Sequence, residues 1–158
     1  MARPDATTIE VARDITYGVP MTFRAVPVAA LLAAMAPPAD GVIEAVTHDG
    51  FIAQLPADLV LNTDASKAVA WLAIEPADHP WPPIPQKHES AGPFYIVWTG
   101  AAASTIRSEQ WPYQTAKLIS QPSPSARWPV LAVDLALPPT DLAGAGQALY
   151  IVQCPALP

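Results

Sequence analysis

VIEAVTHDGFIAQLP, residues 42–56, is the stretch that decides the fold class. Two runs rich in apolar residues flank Asp49-Gly50, a dipeptide that strongly favours a two-residue turn between antiparallel strands. The alternation of apolar and polar residues is imperfect, so we expect both faces of the two strands to be partly buried. The stretch therefore predicts a β-hairpin within a packed sheet.

Further strands are predicted on both sides of this hairpin. Apolar and β-branched runs between turn signals are typical of strands. They occur at 6–14, 21–26, 67–75 and 94–98, and a last one is expected from residue 114 to 121. The stretch 128–137 fits either a strand or an extended linker, and 67–75 is expected to be central in its sheet.

Helices are predicted to be few and mostly short. The clearest covers 27–35, where Pro27 suits the first helical position and Val28, Leu31, Leu32 and Met35 recur on one face. One helical turn is expected within 56–62, and a helix is expected over 141–154. The 18 residues of 76–93 contain six prolines, so regular structure is not expected there.

Composition excludes several classes of function. The chain has 158 residues, a net charge of −6 and a single cysteine. The negative charge gives no footprint for nucleic acid or anionic membrane, and no apolar run approaches the roughly 20 residues that span a bilayer. One cysteine allows neither an internal disulfide nor a multi-cysteine metal site.

Residues from about 20 to 121 resemble the molybdopterin-binding domain of the sulfite-oxidase family. The resemblance is carried, in order, by VPVAALLAA, HDGFIAQLP, AGPFYIVW and RSEQWPY. It implies an α+β fold with a mixed, mostly antiparallel sheet and a few short helices.

A reduced form of this domain precedes a haem domain in some proteobacterial c-type cytochromes, and the chain is more similar to these. HPWPPIP, AGPFYIVW, EQWPY and GQALYIVQC carry this closer resemblance. It implies a sulfite-oxidase-like domain at 1–138 and the start of a haem domain at 139–158, whose helix leads into a Cys-x-x-Cys-His site.

The chain departs from both groups at the residues that hold cofactors. The resemblance implies a molybdenum-ligating cysteine before the first helix, but the single cysteine is Cys154. Arg107 is a candidate for binding a pterin or another anion. Because the cysteine that would hold molybdenum is missing, we do not expect molybdopterin to bind. Covalent haem needs a second cysteine and a histidine, where the chain has Leu157 and Pro158. Cys154 is thus a remnant attachment site that is non-functional alone, and we expect no cofactor in this chain.

Three origins of the broken haem site remain open. The chain could be cut near a domain boundary, or the haem could have been lost. A one-base insertion after the codon of Cys154 would also convert Cys-Arg-Pro-Cys-His into the observed Cys-Pro-Ala-Leu-Pro. Haem c is expected if a full-length form carries the intact motif.

Four other side chains are candidates for binding. His79 and His88 flank the proline-rich stretch, and imidazole is a good ligand for copper or zinc, although the sequence does not bring them together. Trp81 and Trp111 lie in irregular segments and are candidates for partner docking, with packing as the alternative.

These observations predict a non-catalytic module of a periplasmic c-type cytochrome, which docks a redox protein such as a dehydrogenase or an oxidase for electron transfer. One alternative is an oxidoreductase of the sulfite-oxidase type that holds molybdopterin or a metal. A second alternative is a non-enzymatic module that binds a ligand or a partner. Periplasmic location is implied by the resemblance alone. Neither nucleic-acid binding nor membrane insertion is expected.

Overall fold

Seven strands form two antiparallel sheets in the computed structural model, which describes residues 5–100, 102–131, 133–134, 137–138 and 141–153. The strands are β1 (Thr7–Val11), β2 (Met21–Pro27), β3 (Val42–Thr47), β4 (Ile52–Pro56), β5 (Val69–Ile74), β6 (Phe94–Thr99) and β7 (Thr115–Gln121). The helices are α1 (Val28–Leu32), α2 (Ala57–Val60), α3 (Pro124–Arg127) and α4 (Leu142–Gln153). The predicted α+β class is confirmed.

The four-stranded sheet has the order β1-β2-β5-β6, and all its pairings are antiparallel. β5 lies between β2 and β6, which confirms its predicted central place. Leu72 of β5 is opposite Val26 of β2 and Ile96 of β6, so the registers of three strands are tied at one residue.

The predicted hairpin supplies β3 and β4 of the three-stranded sheet, whose order is β4-β3-β7, so that β3 is the central strand. Ile43 and Ala45 face the core, and Glu44 on the opposite face is also buried. Both faces are therefore covered, as predicted. The turn is one residue longer than the sequence indicated: the Thr47 amide donates to the Phe51 carbonyl oxygen at 2.9 Å, and Gly50 adopts φ +87°. A glycine at this position closes a three-residue loop without strain.

The first predicted helix is present but shorter than 27–35. Pro27 precedes it in an extended conformation, and α1 passes at Leu32 into a 3₁₀ turn, Ala33–Met35. Val28 and Leu32 are buried, whereas Met35 is 47% exposed and does not share their face. Two prolines follow Ala36 and prevent the helix from continuing.

The proline-rich loop, residues 76–93, contains no helix or strand, as predicted. Its ends and middle are held by specific contacts. The Trp81 amide donates to Glu75 Oε1 at 2.8 Å, and the Ala91 amide donates to the Tyr17 hydroxyl at 3.0 Å. Trp81 is half-buried and packs edge-on against Phe23.

One hydrophobic core joins the two sheets. Its large, fully buried side chains come from both of them: Phe23, Ile43, Leu55, Tyr95, Ile96, Val97 and Trp98. Phe23 and Tyr95 meet edge to face, with ring centroids 5.9 Å apart.

The C-terminal part carries little regular structure before α4. A 3₁₀ turn, Pro129–Leu131, follows α3, and the described residues of 128–137 contain no strand. α4 confirms the predicted helix over residues 142–153 and lies against β4. The division of the chain at 138/139 stays a prediction.

Candidate functional site

A cleft of about 510 Å³ lies where the end of β1 meets the end of β6. We call it the larger cleft. Its buried lining is apolar and comes from Val11, Trp98, Ile106 and Trp111. A partly open cleft of this size with an apolar floor is typical of sites that bind small molecules.

Polar groups surround the mouth of the larger cleft. Glu10, Arg13 and Ser104 are exposed members of the lining, and Thr99 is a half-buried one. Arg13 is the cation of this lining, and its guanidinium suits a carboxylate or a phosphate. The opposite charge of Glu10 makes the mouth zwitterionic.

A second groove, of about 340 Å³, lies between the hairpin tip and the segment 108–113. We call it the acidic groove. Asp49 and Glu109 supply carboxylates from its two sides, and Phe51 and Tyr113 supply aromatic surface. Phe51 is 41% exposed, which is unusual for a phenylalanine and leaves its ring open to solvent.

Local hydrogen bonds fix Asp49 at the hairpin tip. Its Oδ1 accepts from the Thr47 hydroxyl and, at 3.1 Å, from the Phe51 amide. The hydrogen bond from Thr47 has the largest effect on the pKa of Asp49 and, together with the bond from Phe51, holds it below its usual value. The positive charge of Lys87 lowers it further. Asp49 therefore presents a fixed negative charge beside Phe51.

Lys87 lies beside the same groove. Its ammonium is 4.7 Å from the centroid of the Tyr113 ring and donates to the Tyr113 hydroxyl at 2.5 Å. The hydrogen bond to Tyr113 is the main cause that raises the pKa of Lys87. The chain thus places one of its own cations against the aromatic wall of the groove.

Trp111 lines both the larger cleft and the acidic groove. It is 5% exposed, and its indole Nε1 is buried without a hydrogen-bond partner among the described residues. Trp98 differs, because its Nε1 donates to the Gln110 carbonyl oxygen at 2.7 Å. An unpaired N–H beside two clefts is an exception to the usual satisfaction of buried polar groups.

Asp14 is fully buried, and its two neighbours in the sequence, Arg13 and Ile15, line the larger cleft. Its Oδ1 accepts from the amides of Thr16 and Tyr17, at 2.9 and 2.8 Å, and from the Tyr95 hydroxyl at 3.2 Å. Oδ2 has no partner in the described structure. Burial is the largest influence and raises the pKa of Asp14 despite these bonds.

The sequence-predicted residues are only partly brought to these clefts. Trp111 lines both, yet its burial leaves little of the ring for a partner, so the surface position expected from its irregular segment is wrong. The Trp98 bond to Gln110 and the packing of Tyr95 hold this segment inward. Trp81 is half-buried by Phe23. The docking role of both tryptophans stays a prediction.

Arg107 is exposed and is absent from the described linings of both clefts. Arg13, which the sequence did not single out as a binding residue, is the arginine at the larger cleft. Asp14 was also missed, although Asp14 followed by Thr16 and Gly18 is a signal for a turn capped by an aspartate.

The predicted metal ligands, His79 and His88, are absent from the described linings of both clefts. His79 and His88 are exposed, and the described residues contain no group of three or more His, Cys, Asp or Glu side chains that could hold a metal. Cys154 lies outside the described residues.

The linings do not fit a molybdenum centre held by a thiolate. The larger cleft offers a carboxylate, a guanidinium and two hydroxyls, and the acidic groove offers carboxylates and hydroxyls, but neither described lining holds a thiol. Hard oxygen donors are a poor replacement for the soft cysteine ligand.

Comparison with known proteins finds no family model, no curated protein and no solved structure that matches the chain. The resemblance to sulfite-oxidase domains therefore stays a prediction. Among the described residues, no helix is long and apolar enough to cross a membrane.

Proposed function

We propose that the chain is a non-catalytic docking module of a periplasmic c-type cytochrome and that it presents a haem domain to a redox protein. The observation that carries the docking part is the acidic groove, where fixed carboxylate charge borders the exposed ring of Phe51. Exposed apolar surface with a polar rim is typical of protein interaction sites.

The cofactor chemistry supports a non-catalytic role. The chain has no cysteine before Cys154, so the thiolate that the resemblance implies for molybdenum is missing. Electron transfer would then belong to the haem of the full-length protein, and this module would contribute recognition of the partner.

The experiment reads the source gene through and beyond codon 154, and expresses the resulting full-length protein in a host that makes both c-type haem and molybdopterin. We expect a covalent haem spectrum and no molybdenum by elemental analysis. Near-stoichiometric molybdenum would favour the oxidoreductase alternative, and a gene that ends at Pro158 in every read would remove the cytochrome from the proposal.

A second candidate function is the binding of a small organic anion in the larger cleft. Arg13 at the mouth and the rings of Trp98 and Trp111 at the floor favour it. The test follows tryptophan fluorescence during titration with aromatic carboxylates, for the native protein and for Arg13→Ala. Saturable quenching that Arg13→Ala abolishes supports this candidate, and equal quenching in both proteins contradicts it.

A further inference from the structure

We propose that the acidic groove receives a lysine or arginine side chain of the protein partner. The inference rests on the proposed docking function and deepens it, because it names the chemistry of the group that the partner inserts.

The groove has the two features that hold an organic cation. Asp49 and Glu109 approach from different segments, the hairpin tip and the 3₁₀ turn Ser108–Gln110, so a cation between them gains from both charges. Phe51 and Tyr113 present aromatic surface to the same space. Ammonium and guanidinium groups bind aromatic faces and pair with carboxylates, and the two effects act together here.

The contact of Lys87 with Tyr113 shows that an aromatic residue of the acidic groove already binds a cation. Its ammonium lies 4.7 Å from the Tyr113 centroid and bonds the Tyr113 hydroxyl. Lys87 is exposed and belongs to the proline-rich loop. It is not among the residues that line the groove, so the volume of about 340 Å³ remains for another side chain.

Charge complementarity selects a basic protein partner as the occupant. The chain carries a net charge of −6, which attracts a basic surface and repels a second copy of itself. The Asp49 carboxylate is held in place by Thr47 and Phe51 before any partner arrives, so little ordering is needed at that side of the groove.

The test is an NMR titration of ¹⁵N-labelled protein with an acetylated, amidated peptide that carries four lysines separated by glycines. A peptide with glutamines at the same positions is the control ligand. We expect saturable shifts at Phe51, at the amides of 108–113 and at the indole N–H of Trp111 with the lysine peptide only. Shifts spread evenly over the acidic surface would overturn the proposal.

Three variants separate the groove from a general charge effect. Glu109→Gln removes one exposed groove charge, and we expect affinity for the lysine peptide to fall about threefold. Asp58→Asn makes the same charge change at the opposite end of β4 and should leave the affinity within the error. Lys87→Ala removes the competing cation and should raise the affinity about twofold.

Equal weakening by Glu109→Gln and Asp58→Asn overturns the inference, as does a Lys87→Ala protein that binds no better than the native one. Concentration-dependent shifts without peptide would show a second copy in the groove and would also overturn it. These readouts need neither haem nor molybdenum, so failure here is distinguishable from failure of the cytochrome proposal.

Discussion

Glu44 of β3 and Arg127 of α3 form an ion pair of 2.6 Å across the outer face of the three-stranded sheet. The side chain of Glu44 is 9% exposed, and its carboxylate also accepts from the amide groups of Gln54 and Gln121, at 3.2 and 2.9 Å. Arg127 in turn lies 4.1 Å over the ring of Trp128. The carboxylate of Glu44 thus connects α3 to β4 and to β7, the two strands that pair with β3.

We expect Glu44→Gln to destabilise the protein in a pH-dependent way. Burial, the largest single influence, would raise the pKa of Glu44, but the bonds from Arg127, Gln121 and Gln54 together lower it below its usual value of 4.5. A lowered folded pKa gives stability that is present above 4.5 and lost as the pH falls through the folded value. At pH 7 the free energy of unfolding should be about 1–3 kcal/mol higher for the native protein than for Glu44→Gln.

Urea unfolding between pH 2.5 and 7 measures this difference. The exposed Glu10 of β1 is the matched control, and Glu10→Gln should change the free energy of unfolding by no more than about 0.5 kcal/mol at pH 7. A gap between native protein and Glu44→Gln that is constant across the pH range would contradict the ion-pair account.

Asp14 should show the opposite pH dependence. Burial raises its folded pKa above the usual 3.8, so folding favours the protonated form. Its stabilising contribution is fully present below pH 3.8 and is lost as the pH rises through the folded value. The free energy of unfolding of the native protein, relative to that of Asp14→Asn, should therefore fall as the pH is raised from 3.5 to 7.

Tyr95→Phe sharpens this test. The Tyr95 hydroxyl bonds Asp14 Oδ1 at 3.2 Å and helps to lower the pKa of Asp14. Its removal should move the decline to higher pH. The measurement is urea unfolding of the native protein, the two single variants and the double variant, and the same profile with and without the Tyr95 hydroxyl would refute the assignment.

Local signals in the sequence were enough for the hairpin and for the central place of β5. Asp49-Gly50 between two apolar runs strongly favours a turn, and the uncharged run 68–74 indicates a strand that is covered on both faces. The pairing of β3 with β7 was not readable, because those strands are more than sixty residues apart and meet only through tertiary packing. The division into two sheets depends on the same pairing.

The candidate site was less predictable than the fold. The irregular segment around Trp111 suggested an exposed ring, but one hydrogen bond from Trp98 to the Gln110 carbonyl draws that segment into the core. Glu109 and Asp49 lie sixty positions apart, and only the fold brings both to one groove. The fold also places Arg13, and not Arg107, in the lining of the larger cleft.

A side chain at position 92 is expected to destabilise the protein by displacing Glu75. A Cβ there would lie 2.0 Å from Oε2 and 2.4 Å from Cδ of Glu75, whose Oε1 accepts the Trp81 amide. Gly92→Ala must displace Glu75 and loosen the proline-rich loop, at a cost of about 1–3 kcal/mol in free energy of unfolding. Amide hydrogen exchange at Trp81 should accelerate.

Two controls test this reason. Gly144 in α4 has open space around its Cα, so Gly144→Ala should not destabilise and should favour the helix by up to about 1 kcal/mol. In a Glu75→Ala background the contacts with the carboxylate are gone and only the Cβ at position 75, at 2.8 Å, stays close, so Gly92→Ala should cost less. An equal cost in both backgrounds would show that Glu75 is not the obstacle.

The pair Trp98 and Trp111 offers the most direct test of the packing around the two clefts. Both rings are buried, but the Trp98 N–H donates to the Gln110 carbonyl oxygen and the Trp111 N–H has no partner among the described residues. Substitution by phenylalanine removes a similar volume from each site. Trp98→Phe additionally deprives a buried carbonyl of its donor, whereas Trp111→Phe removes an N–H that was already unsatisfied.

We expect Trp98→Phe to cost about 1–3 kcal/mol more than Trp111→Phe in urea unfolding. If the two costs are equal, the Trp111 N–H has a partner in solution, and a buried water in the larger cleft or the acidic groove becomes the group to look for.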